Sequence, residues 1–217
     1  ISDAFDQSGS GETLVDMMDL DLLVGSGGVL SHAPRREQAM RMMIDAFVPE
    51  GITQLAVDSI FMMPQLGVMA NIGNADMAES ARKAAVEVFE KDCLIRLGTC
   101  IAPAGKPKPG SVILTAEFDI PGEGIKTVEL KTGELIVIPA SYQPIKAKLT
   151  LAKNMTMGKD KGEALETEVF GGTVGLVLDG RGRPFELSTE KAQRIENLNK
   201  WSKATNEYPD SELLGGA

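Results

Sequence analysis

A short apolar run that ends in glycines is the feature that most constrains the fold of this chain. Residues 22–24 lead directly into Gly25-Ser26-Gly27-Gly28, a pattern typical of a buried strand that runs into a tight turn. Apolar residues then recur at spacings of three and four from Ala39 to Phe47, which predicts one buried face of a helix. Pro34 suits the first position of that helix. The sequence therefore predicts a strand, a glycine loop and a helix in succession.

A loop of this kind lets a ligand lie against bare backbone, close to a helix N-terminus. It contains neither the P-loop pattern nor the G-x-G-x-x-G fingerprint of dinucleotide sites. Gly25, Ser26, Gly27 and Gly28 are nonetheless candidate cofactor-binding residues, and the alternative is that the glycines only form a sharp turn.

Two further candidates follow the loop. His32, the single histidine, either touches a ligand or only hydrogen-bonds the backbone of the turn. Arg35 and Arg36 lie in the first turn of the predicted helix, where their charge opposes the helix dipole. That small cost suggests that one of them faces a ligand or a carboxylate, and Arg35 is the candidate site residue.

Composition narrows the function classes. A net charge of −9 and a pI of about 4.8 argue against nucleic acid and anionic membrane surfaces as partners. The 217 residues contain no apolar run of about 18 residues, so no transmembrane helix is expected. Two cysteines and no secretory signal predict a cytoplasmic protein with reduced thiols. With one histidine, no catalytic triad and no metal site can be assigned.

The chain divides by composition into three parts. Residues 1–93 alternate strand and helix patterns around the glycine loop at 25–28 and predict an α/β lobe. Residues 94–187 contain short strand patterns separated by Gly and Pro turns, which predict an all-β module, a small barrel or sandwich. Residues 188–217 predict a C-terminal helix with Trp201 as a packing anchor, followed by a tail.

Three long segments of the chain resemble one family. They are VGSGGVLSHAPRREQAMRMMIDAF, LAVDSIFMMPQLGVMA and ETEVFGGTVGLVLDGRGRPFEL. They are similar to the accessory protein found alongside adenosylcobalamin-dependent glutamate mutase, a family called the MutL type and unrelated to the mismatch-repair protein of that name. Related members accompany other cobalamin-dependent mutases. The resemblance spans about residues 20–205.

The resemblance implies the actin, sugar kinase and Hsp70 ATPase superfamily, in which nucleotide binds between two ribonuclease-H-like lobes. There, a strand that ends in paired glycines before a helix packs against the adenosine. Gly25, Gly27 and Gly28 match that motif, and Ser26 lies within it. The superfamily's first phosphate loop is absent from the chain, and no second one is evident. The chain is therefore expected to be the C-terminal part of a longer protein.

The expected fold class is α/β plus β. It comprises a partial ribonuclease-H-like ATPase lobe, an added all-β barrel or sandwich module, and a C-terminal helix. The implied function is a nucleotide-binding accessory, reactivation or chaperone-type protein for a cobalamin-dependent mutase. ATP with Mg would be the cofactor of the full-length parent, a candidate ATPase, while this part alone would be inactive.

The expected partners are the mutase subunits and, through the apolar face of a cut lobe, a second copy in a homodimer. The alternative function is a non-catalytic interaction module whose β domain docks on a mutase or another partner. A small-molecule kinase would follow from the superfamily alone, but no sugar-binding acid or base can be named.

Overall fold

The computed structural model describes residues 16–71, 75–158, 160–162, 164–183 and 185–209. The strands are β1 (Leu22–Gly25), β2 (Gly51–Asp58), β3 (Leu94–Ala102), β4 (Ala104–Gly105), β5 (Val112–Ile120), β6 (Gly124–Lys131), β7 (Leu135–Ile138), β8 (Pro144–Leu151), β9 (Met155–Met157), β10 (Asp160–Lys161), β11 (Ala164–Phe170) and β12 (Gly175–Asp179). The helices are α1 (Gly28–Ser31), α2 (Arg36–Phe47), α3 (Met63–Ala70), α4 (Ala75–Val88) and α5 (Lys191–Thr205). A 3-10 turn (Met17–Asp19) precedes β1, and a π-helical turn (Phe89–Cys93) follows α4.

The strand, glycine loop and helix lie where the sequence predicts them, but the helix begins later than Pro34. A single turn, α1, follows the glycines and closes when the His32 N–H donates to the Gly28 carbonyl at 3.0 Å. Arg35 is extended, with φ −128° and ψ 144°, and α2 begins at Arg36. One helical turn therefore ends before Pro34, and a second helix begins after it. The break has a local cause, because Ala33 precedes the proline and such a residue resists helical geometry.

Five strands form a mixed central sheet in the order β1-β2-β3-β12-β7. β1 pairs parallel with β2, to which it is connected through helices, and β3 pairs parallel with β12. The pairs β2–β3 and β12–β7 are antiparallel. The carboxyl ends of β1 and β2 therefore meet at one edge of the sheet, where the glycine loop begins.

Four more strands form an antiparallel outer sheet in the order β11-β8-β5-β6, and β10-β9-β4 form a small third sheet. β8 alternates along its length: Ile145, Ala147, Leu149 and Leu151 are buried, and the residues between them are exposed. These side chains share one core with Leu176 of the central sheet. The outer sheet therefore packs against one face of the central sheet.

Helices cover the other face of the central sheet. Met40, Met43 and Ile44 of α2 share a core with Val57 of β2 and with Trp201 of α5. The Trp201 side chain is buried, and its indole N–H donates to the Gly133 carbonyl at 2.9 Å. Trp201 is thus a packing anchor, as predicted.

The separate all-β module predicted for 94–187 requires correction. Its described elements are strands, but β3, β7 and β12 belong to the central sheet together with β1 and β2. The predicted boundary at 93/94 falls immediately before β3, which pairs with β2 along its length. The described strands form no closed barrel, since each of their three sheets has two ends. Strand patterns reveal element type but not which sheet a strand joins.

The Gly-rich segment before β12 carries the chain from the outer sheet back to the central one. A side chain at Gly172 would overlap the backbone of Leu97 and Gly98, and one at Gly98 would overlap the Gly175 carbonyl oxygen. Gly98 and Gly175 also have φ values of 140° and 113°, which disfavour other residues. These glycines therefore serve close packing of two backbones.

Candidate functional site

The glycine loop emerges at the carboxyl end of β1, beside the carboxyl end of β2. Gly25 pairs in parallel register with Val57, so Ser26 and Asp58 leave the sheet next to each other. The Ser26 hydroxyl donates to the Asp58 carboxylate at 3.1 Å. This edge is the place where ligands bind in many open α/β sheets.

Asp58 joins three segments of the edge. Besides Ser26, its carboxylate accepts the N–H groups of Met62 at 3.1 Å and Met63 at 2.9 Å, at the start of α3. Its backbone carbonyl accepts the Ser31 hydroxyl at 2.5 Å, at the end of α1. No role was predicted for Asp58 from the sequence. The signal that could have found it is the strand–helix–strand pattern, because a parallel pairing brings the carboxyl ends of β1 and β2 together.

The ionisation of Asp58 follows from these contacts. Its side chain is fully buried, and burial alone would raise the pKa of a carboxyl group. The N–H groups of Met63 and Met62 and the Ser26 hydroxyl outweigh burial and hold the pKa of Asp58 below its ordinary value. Asp58 is therefore a carboxylate at neutral pH and a fixed anchor for the loop.

The glycines of the loop differ in what surrounds them. A Cβ at Gly25 would lie 2.7 Å from Leu30 Cδ1 and 2.9 Å from Met43 Sδ, so Gly25 is needed for packing. A Cβ at Gly27 or Gly28 would have no heavy atom within 4 Å. Gly27 has φ 106°, which still disfavours a side chain, whereas Gly28 has ordinary helical geometry. The backbone at Gly27 and Gly28 is thus open to a ligand.

The other two predicted site residues lie further along the chain. His32 is exposed and ends α1, and its backbone N–H caps that turn. Arg35 is exposed, and its guanidinium donates to the Asn206 carbonyl at 3.0 Å, just beyond α5. The structure therefore brings Ser26 and the glycines together with Asp58, while Arg35 instead ties the start of α2 to the end of α5.

A groove of about 1120 Å³ lies between α2 and α5 and begins beside the glycine loop. Val29, which follows Gly28 and is 74% exposed, contributes to its rim. Its other apolar lining residues are Ala33, Pro34, Met42, Ala46, Leu198 and Tyr208. Two buried residues, Arg41 and Glu207, supply polar groups to the groove, and Arg41 Nη1 lies 3.5 Å from Glu207 Oε1. Such a surface suits a flat, largely apolar ligand with a few polar groups.

The charged turn after β12 is a buried ion network. Arg181 donates to Asp179 through Nε at 2.9 Å and Nη2 at 2.8 Å, and to Asp45 of α2 through Nη1 at 2.6 Å. Arg183 donates to Asp179 at 3.0 Å and to the Pro49 carbonyl at 2.9 Å. The network therefore joins the end of β12 to α2. Its groups are all engaged within the fold, so they serve structure.

The described residues add two observations on the kind of protein. None of the described helices is both long and apolar enough to cross a membrane. Among the same residues, no group of three His, Cys, Asp or Glu side chains is placed to hold a metal ion.

Comparison with known proteins supports the resemblance seen in the sequence. Residues 9–93 match the family model described as MutL protein. The match includes the glycine loop, α2, β2 and the Asp58 turn. Curated proteins and solved structures give no significant match. Residues 9–93 of the chain are therefore similar to the MutL protein family.

Proposed function

We propose that this chain is a nucleotide-binding accessory protein of an adenosylcobalamin-dependent mutase, and that it binds the adenosine of ATP at the glycine loop. The family supports an accessory role alongside glutamate mutase. We further propose that the protein binds a nucleotide, that it reactivates or chaperones the mutase, and that it is related to the actin-like ATPases. These three statements extend the sequence resemblance.

The open backbone at Gly27 and Gly28 is the observation that carries the proposal. Both positions lack a neighbour where a side chain would be, although Gly25, two residues earlier, is tightly enclosed. Asp58 holds the loop through Ser26 without blocking that space. An uncovered stretch of backbone that Asp58 holds in place can accept a ribose and a flat base.

Hydrolysis would need groups beyond this site. In the superfamily that the sequence resembles, separate loops bind the phosphates and Mg, and the chain carries no evident counterpart. We propose that a preceding segment of the parent protein supplies them. This chain would then contribute the adenosine side of the site.

Calorimetric titration with adenosine and with Mg-ATP tests the proposal. Gly28→Leu should weaken binding of both ligands at least tenfold, because its side chain fills the open space. Gly67→Leu is the matched control, since Gly67 also has no neighbour within 4 Å but lies on the exposed side of α3. Circular dichroism and urea unfolding should show that both variants keep the fold.

Two results would contradict the proposal. One is equal affinity of Gly28→Leu and the unaltered chain. The other is a lack of binding of either ligand by the chain and by a protein extended at its N-terminus. In both cases the glycine loop would be a turn without a ligand.

A second candidate, a non-catalytic interaction module, is favoured by the exposed surface of α3. Leu66 is its buried residue, whereas Met63, Val68 and Met69 are exposed apolar side chains. Capture of purified glutamate mutase subunits by the whole chain without nucleotide, unchanged in Gly28→Leu, would favour this function. The whole chain is needed because β3, β7 and β12 pair within the central sheet.

A further inference from the structure

The turn that follows β2 lies beside the glycine loop and is held in place at both ends. Before the turn, the backbone N–H and the hydroxyl of Ser59 both donate to the Cys93 carbonyl at 2.8 Å. After it, the N–H groups of Met62 and Met63 donate to the Asp58 carboxylate. The same carboxylate accepts the hydroxyl of Ser26 in the glycine loop. The turn and the loop are therefore fixed relative to each other.

Phe61 lies within this turn and has a left-handed backbone, with φ 58°. Among the described residues, Val48 and Asn206 are the other non-glycine residues with positive φ. Those two end α2 and α5, where a left-handed residue commonly closes a helix. Phe61 ends no helix. A bulky residue in this conformation is strained, and such strain persists where the surroundings over-determine it, often at ligand contacts.

Burial does not offset the strain at Phe61. Its side chain is 48% exposed. Among the described residues, the paired aromatic rings are Tyr142 with Phe170, which are stacked, and Phe185 with Trp201, which meet edge to face, so the Phe61 ring is in neither pair. The fold thus holds an aromatic ring at the surface, on a turn that the Asp58 carboxylate links to the glycine loop.

We propose that Phe61 is a ligand-contact residue of the glycine-loop site and stacks on the planar base of the bound nucleotide. This inference rests on the proposed function. Every nucleobase has a π-face, so an aromatic platform adds affinity for nucleosides and nucleotides while contributing nothing to a ligand without a base. Phe61 therefore determines that the site takes a base-bearing ligand.

Substitution at Phe61 separates ligand contact from a structural role. Asn tolerates the left-handed conformation, so Phe61→Asn should keep or raise the midpoint of urea unfolding. The same variant should bind adenosine and Mg-ATP roughly 5- to 150-fold more weakly, which corresponds to a stacking contribution of about 1–3 kcal/mol. Phe61→Trp should retain affinity. Ile125→Asn is the control, because Ile125 is an exposed apolar residue at the start of β6 in the outer sheet.

Weaker adenosine binding by Phe61→Asn at unchanged stability, with Phe61→Trp and Ile125→Asn close to the unaltered chain, supports the inference. Equal affinity of Phe61→Asn and the unaltered chain overturns the inference and leaves the nucleotide site in place. Loss of stability in Phe61→Asn would assign Phe61 a packing role and also overturns it. If the unaltered chain and its N-terminally extended form bind neither ligand, the proposed function fails and the inference fails with it.

Discussion

Replacing Asp179 by Asn tests whether the charged turn after β12 is structural. The Asp179 side chain is fully buried and accepts four hydrogen bonds. Three come from Arg181, through its backbone N–H, Nε and Nη2, and one comes from Arg183. An amide has nearly the same shape but no charge, and its NH₂ group cannot accept a hydrogen bond.

The expected cost is large because the arginines remain buried. After Asp179→Asn, Arg181 keeps one ion pair, with the partly exposed Asp45 at 2.6 Å. Arg183 still donates hydrogen bonds to the carbonyls of Pro49 and Gly182, but it loses its ion pair with residue 179. Removing one partner of a buried pair typically costs about 3–5 kcal/mol. That is a large fraction of the roughly 5–15 kcal/mol by which most domains are stable.

Urea unfolding followed by circular dichroism measures this cost. We expect Asp179→Asn to lower the free energy of unfolding by about 3–5 kcal/mol, and Tm by roughly 6–20 °C for a chain of this size. Asp119→Asn is the control. Asp119 is exposed on the outer sheet, where it lies opposite Lys146, and the change should cost less than about 1 kcal/mol. A loss of 1 kcal/mol or less for Asp179→Asn would refute the structural assignment.

Acid pH gives a second measurement of the same network. Burial alone would raise the pKa of Asp179, but Arg181 and Arg183 together hold it below its ordinary value. A lowered folded-state pKa means that the stabilisation is fully present above the unfolded pKa of about 3.9 and is lost as the pH falls through the folded pKa. The unaltered chain should therefore lose stability below about pH 4 more steeply than Asp179→Asn does.

Three further predictions concern two glycines and one thiol. Gly98→Ala should abolish soluble folded protein, because its Cβ would overlap the Gly175 carbonyl, whereas Gly67→Ala should raise stability by up to about 1 kcal/mol, as measured by urea unfolding. A fall in stability for Gly67→Ala would show that α3 needs the glycine. Cys100 should resist iodoacetamide at pH 8 until urea is added, because burial raises its pKa to about 12 and its thiolate is scarce. Mass spectrometry that finds Cys100 labelled in the native chain would contradict its buried position.

Local patterns in the sequence were enough to predict individual helices and strands, including those on either side of the glycine loop. The apolar run before Gly25, the spacing from Ala39 to Phe47 and the alternation of β8 each report one side of one element. Such periodicities are set by backbone geometry within a few residues. They therefore identified the strand, the glycine loop and the helix that follow one another between residues 22 and 47.

The partners of those elements could not be read from the sequence. β3, β7 and β12 look like any other strands of 94–187, yet they complete the central sheet. Arg181 and Asp45 are 136 positions apart and meet only because β12 and α2 pack together. Arg35 lies on the predicted helix but contacts Asn206, near the end of the described chain.

By itself, the sequence determined the strand, the glycine loop, the buried face of α2 and the similarity of residues 9–93 to the MutL protein family. The tertiary structure alone decided that Asp58 anchors the loop, that Gly27 and Gly28 are open while Gly25 is enclosed, and that Phe61 is held strained at the surface. The reason is physical. Propensity and periodicity act within one element, whereas burial, hydrogen-bond partners and free space depend on atoms brought together from distant parts of the chain.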